Sequence, residues 1–151
     1  MNAQTFVESV PAARAPSPQR RRRRAARRGR TILGGFYLTM AGINIGLLVA
    51  DPAVYTTFGD RSLFEFVRTG WLQIVMASPV PWIAALAAGE ILIGAALLSG
   101  GWWAVAGYGA VIVFHLCLLL FGWGVWLWSM PVLAVVVPLA LRQYRLVRRS
   151  S

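Results

Sequence analysis

An all-α integral-membrane four-helix bundle, with an interfacial helix between spans one and two, is the fold class this sequence predicts. Three observations predict it. Of the 151 residues 58% are hydrophobic and only 13% are charged, whereas a soluble domain carries roughly a quarter charged residues. The apolar residues fall into four blocks, each close to the ~20 residues that a helix needs to cross a ~30 Å hydrocarbon core. All fifteen basic residues are arginine and they flank the blocks: nine precede residue 31, four follow residue 141, and only Arg61 and Arg68 lie between.

Residues 1–30 are rich in Ala, Pro and Arg and lack apolar periodicity, which predicts a disordered cytoplasmic tail. Its arginines at 20–24, with Arg27, Arg28 and Arg30, abut the first block. They act either as a topology signal or as a tail that binds anionic lipid or a partner. An export signal is disfavoured, because the block is long and three more follow.

The predicted spans cover 31–50, 81–98, 102–121 and 123–141, giving a membrane domain over 31–142 and a basic cytoplasmic tail over 143–151. Spans must be helical, because lipid offers backbone groups no partner. Ser99, Gly100 and Gly101 break the chain between spans two and three; Gly122 and Gly124 break it between three and four. Pro131 and Pro138 are expected to bend the last span.

The one long connection, 51–80, is near neutral. Over 62–76 it sets Glu65, Arg68, Thr69 and Gln73 in a narrow polar stripe, as in a helix lying in the outer interface. A fifth span would place these groups in lipid. Four spans leave both arginine-rich ends on one side, which the positive-inside rule assigns to the cytoplasm of a cell inner membrane. The seven tryptophans lie within about two turns of span ends, at headgroup depth.

Ionisable groups at bilayer depth each need a reason. Glu90 lies in span two and His115 in span three. Tyr37 and Asn44 lie seven residues apart on span one, and Tyr108 and His115 seven apart on span three, so each pair shares a face. Counted from the cytoplasmic ends, Asn44 and His115 lie about 20 Å deep, Tyr37 and Tyr108 about 9 Å, and Glu90 about 13 Å. One internal polar cluster of Glu90, His115, Tyr108, Asn44 and Tyr37 is expected. It serves either as interhelical glue between neutral groups or as a site that binds a polar headgroup or relays protons.

Gly35, Thr39, Gly42 and Gly46 form a small-residue stripe about opposite Asn44, suited to close packing against another helix or a second copy of the chain. Gly94 is the corresponding small residue on span two. No phosphate loop, zinc motif, metal set or hydrolase triad is present, and Cys117 stands alone. No catalytic residue, metal or cofactor is therefore expected, a quinone being the one candidate. The arginines lack the aromatic interleaving of a nucleic-acid surface. The expected partners are the bilayer, anionic lipid at the two tails, and a membrane protein or another copy of the chain.

The segment Gly89-Glu90-Ile91-Leu92-Ile93-Gly94-Ala95-Ala96-Leu97-Leu98-Ser99-Gly100, with Gly34, Gly35, Ala41 and Gly42 in span one, resembles the DoxX-like membrane protein family. The likeness covers about Arg30 to Arg142. It implies a small accessory protein of a redox or quinone-linked membrane complex, with Glu90 at the family's acidic position. The long arginine-rich tail departs from the family's short N-terminus, and the single cysteine does not fit thiol redox chemistry by this chain. The other reading is a proton-coupled or small-molecule carrier that uses a Glu90/His115 pair.

Overall fold

The computed structural model describes residues 18–149. Helix α1 covers Pro18–Ala50, α2 Thr56–Asp60, α3 Glu65–Gly70, α4 Pro79–Ser99, α5 Gly101–Leu118 and α6 Trp123–Arg148. No strand occurs among the described residues. Four segments are long and apolar enough to cross a bilayer: Arg24–Ala50, Pro79–Ser99, Gly101–Phe121 and Trp123–Arg148. At 1.5 Å per residue the shortest, of 21 residues, is about 32 Å long.

The first span starts earlier than expected. Pro18 opens α1, so 18–30 are helical rather than disordered; residues 1–17 lie outside the described part. Arginine is a good helix former and proline suits a first turn, so a helix once nucleated in the apolar block propagates back through the basic run. The expected C-terminal tail is likewise helical as far as Arg148. Helix α6 runs unbroken through Pro131 and Pro138.

The turns are built as the sequence requires. Gly100 and Gly101 have φ of 83° and 55°, and Gly122 has φ of 94°, a region that side chains rarely tolerate. Gly122 is also crowded: a Cβ there would lie 2.6 Å from Cγ of Leu63.

Helix α1 packs along α4, α4 along α5, and α5 along α6, each pair antiparallel. The core between them holds Tyr37, Ile93, Leu97, Tyr108, Val111 and Val136. The α1–α4 seam is the tightest contact. A Cβ on Gly94 would sit 2.9 Å from the Gly34 carbonyl oxygen, and one on Gly34 3.1 Å from that of Gly94. Each glycine thus faces the other's backbone. Gly35, Gly42 and Gly46 have nothing within 4 Å of such an atom and face outward.

The long connection caps one end of the bundle in several short pieces. Asp51 caps a 3-10 turn, Pro52–Tyr55, accepting from the Ala53 N–H at 3.0 Å. Helix α3 runs into a π-helical turn, Trp71–Val75. The single helix expected over 62–76 is therefore realised over 65–75, and the 52–60 pieces are additional. Aromatic rings hold the cap down: Trp71 meets Phe121 edge-on at 5.0 Å and Phe58 at 6.0 Å. Trp71 Nε1 donates to the Tyr55 carbonyl at 2.8 Å.

Candidate functional site

The face of α1 that turns inward carries Gly34, Tyr37, Ala41 and Asn44, spaced by three and four residues and all buried. Asn44 there meets Glu90 from α4. Its Nδ2 donates to Glu90 Oε2 at 2.8 Å. The sequence-based depths put Glu90 about 7 Å nearer the arginine-rich end than Asn44; the bond brings the two side chains together across the α1–α4 seam.

A third member comes from the cap. The Tyr55 hydroxyl donates to Asn44 Oδ1 at 2.7 Å and lies 3.2 Å from the Asn44 carbonyl oxygen. A chain of hydrogen bonds thus runs from Tyr55 through Asn44 to Glu90. All three side chains are buried, Glu90 to 3% exposure. Both ends of the Asn44 amide are used, so the amide can neither flip nor slide without orphaning a buried group.

Burial pushes the Tyr55 phenol above its ordinary 10.0, and negative charge on Glu90 adds to the effect. The hydroxyl therefore donates throughout the neutral range. Because its folded value is raised, its contribution is complete below pH 10.0 and is lost as pH climbs through the higher folded value. Tyr55→Phe is expected to cost about 1 kcal/mol, the net worth of one buried hydrogen bond. The stability gap to the native protein should close in alkali, because only the native cap loses a proton there. Thermal melts of the two proteins across pH check both points; a gap that widens in alkali would contradict the assignment.

His115 does not join Glu90. Its Nδ1 shares a hydrogen bond of 3.1 Å with Ser129 Oγ on α6, and both residues are at most 1% exposed. The hydroxyl donates when Nδ1 carries no proton. Tyr37 and Tyr108 pack in the same apolar core. The Tyr37 hydroxyl is buried without a hydrogen-bond partner.

The expected single cluster is thus two separate bonded units, Tyr55–Asn44–Glu90 and His115–Ser129, with the two tyrosines packed nearby. Of the expected packing residues, only Gly94 lies in a helix seam. Tyr55, Ser129 and Gly34 were not foreseen. Gly34 shares the period of Tyr37 and Asn44, so its signal was present. Ser129 lies as many residues after Gly122 as His115 lies before it. A hairpin about Gly122 must therefore bring the two together. Tyr55 offered no such signal, because the folding of the cap decides where it points.

Two cavities open at the opposite, arginine-rich end, and neither is lined by Glu90 or His115. Among the described residues no group of three or more His, Cys, Asp or Glu side chains is placed to hold a metal ion. No protein-family model, no curated protein and no solved structure matches the chain.

Proposed function

We propose that the chain is a small integral-membrane accessory protein of a cell inner membrane, a subunit of a redox or quinone-linked complex, without catalysis of its own. The observation that carries this reading is that the buried carboxyl of Glu90 and the buried imidazole of His115 are each bonded to a neighbouring helix. Glu90 is bonded through Asn44 to Tyr55, and His115 to Ser129. Groups tied in this way join helices, and neither cavity described at the arginine-rich end is lined by them. The class of complex rests on the DoxX-like pattern around Glu90 and Gly94.

Membrane insertion is supported by the exposed rings. Trp102 and Trp103 stand out at one end of the bundle, and Trp82, Trp123 and Trp128 towards the other, each at least 49% exposed. Such rings suit the headgroup layer. The arginines at 24–30 and 142–149 share the Trp102 end, so that end is cytoplasmic by the positive-inside rule.

A carrier built on Glu90 and His115 has less support, because each residue is bonded elsewhere. The test is purification of the tagged protein from its native membranes in mild detergent, with the co-purifying proteins identified by mass spectrometry. A membrane oxidoreductase recovered in fixed ratio is expected. Recovery of the chain alone would overturn the reading.

A further inference from the structure

The arginine-rich end is a built cavity rather than a diffuse charged surface. Where the first turns of α1 approach the last turns of α6, a space of about 500 Å³ is lined by Tyr108, Arg142, Gln143, Arg145 and Arg149. A water molecule occupies about 30 Å³, so there is room for an organic group. A second space of about 340 Å³ adjoins it, sharing Gln143 and adding Arg27 and Arg30.

Three features specify what would enter. First, the charge is of one sign. The acidic residues among those described are Asp51, Asp60 and Glu65, in the cap, and Glu90, in the Asn44 bond. Among the described residues no carboxylate side chain stands beside the five lining arginines. Second, Arg30 Nε is buried with no hydrogen-bond acceptor. The Arg30 side chain lies over Gly100, whose missing Cβ leaves room for it: such an atom would be 2.8 Å from Nη1. Burying an N–H of a permanently charged group without an acceptor is costly, and an anion entering the second space, which Arg30 lines, removes that cost. Third, the walls offer neutral donors beside the charges. Gln143 is 7% exposed, and Tyr108, 1% exposed, brings a phenol to the wall from the core.

Guanidinium forks with a phenol and an amide match a tetrahedral oxyanion, to which arginine binds through two N–H groups at once. Ala25, Ala26, Leu139 and Leu146 complete the lining with apolar side chains. We propose that this cavity is a binding site for the phosphate group of an organic phosphate, held by Arg142, Arg145 and Arg149 with Tyr108 at the wall and Arg30 in the adjoining space. The site lies at the level where an acidic phospholipid would place its headgroup, and a soluble phosphate ester offers the same group. The inference is independent of the accessory role.

The test uses the full-length protein in nanodiscs at matched ionic strength. One arm titrates phosphatidylglycerol into discs of phosphatidylcholine. The other adds pyrophosphate to discs of phosphatidylcholine alone. Saturable binding, read as a rise in melting temperature and by native mass spectrometry, is expected in at least one arm. The responding arm names the source, lipid or soluble.

Arg142, Arg145 and Arg149 are exposed, so their glutamine variants keep the fold. R142Q and R145Q should each weaken binding about tenfold, whereas R61Q, at the cap end, should leave it unchanged. Y108F adds a readout that diffuse charge attraction does not move: binding should fall although no charge is lost. The proposal is overturned if neither ligand binds saturably, if R142Q and R145Q bind like the native protein, or if Y108F binds unchanged.

Discussion

Asn44→Leu is expected to be the most destabilising polar substitution in the bundle, with a loss of roughly 2–6 kcal/mol. It removes the one residue that bonds both Glu90 and Tyr55. Each group left unpaired in a buried site costs about 1–3 kcal/mol, and two are orphaned. An interhelical hydrogen bond in a membrane averages only about 0.6 kcal/mol when both partners are removed. Asn44→Leu combined with Glu90→Leu should therefore recover part of the loss. Glu90→Gln should change stability by less than about 0.5 kcal/mol, since its amide oxygen still accepts from Asn44 Nδ2. Unfolding in mixed micelles, followed by circular dichroism, measures all three. If Asn44→Leu costs no more than an exposed substitution, the bond chain does not hold the helices. If Glu90→Gln unfolds the protein, the carboxyl does something other than accept that bond.

The extent to which the fold was legible in the sequence follows from where its information lies. Spans two, three and four are joined by glycine turns of one or two residues. Their pairings are therefore fixed once Gly100 and Gly122 are recognised. The seam between α1 and α4 is different. A connection of nearly thirty residues separates these helices, and its length constrains neither their register nor the faces that meet. Composition marked a small-residue stripe on α1, but small residues serve equally for close packing and for a lipid-facing surface. The informative feature was the period that joins Gly34 to Tyr37, Ala41 and Asn44. Polar and small residues on one face must point inward together, because lipid solvates apolar side chains but not an amide. Depths counted from the span ends do not locate the meeting of Asn44 with Glu90, because α1 runs past the end of α4, its Arg30 lying over Gly100, so the ends of the two helices are not level. Proximity between Glu90 and His115 was inferred from chemistry alone. Both residues instead found neutral partners, which satisfy a buried polar group without requiring two ionisable residues to share a proton.

The α1–α4 seam gives the second large expectation, for a substitution that touches no polar side chain. Gly94→Leu should prevent α1 from seating on α4. Its first side-chain atom would fall 2.9 Å from the Gly34 carbonyl oxygen and 2.8 Å from Leu38 Cγ. The leucine side chain of residue 38 can turn aside; the backbone oxygen can withdraw only if the helices part. Overpacking costs typically 1–3 kcal/mol where neighbours can shift. Gly94→Ala should fall in that range and Gly94→Leu at or above its top. Separation of the helices would also stretch the Asn44–Glu90 bond, which lies about one to three turns away along the same seam. The two losses should therefore be coupled: Gly94→Ala and Asn44→Leu together should cost less than the sum of each alone. Gly42→Leu, whose added atoms meet nothing within the chain, should leave the isolated protein's stability within about 0.5 kcal/mol. Detergent melts of these variants separate the two faces of α1. Equal losses at Gly42 and Gly94 would mean that the seam is not the one described.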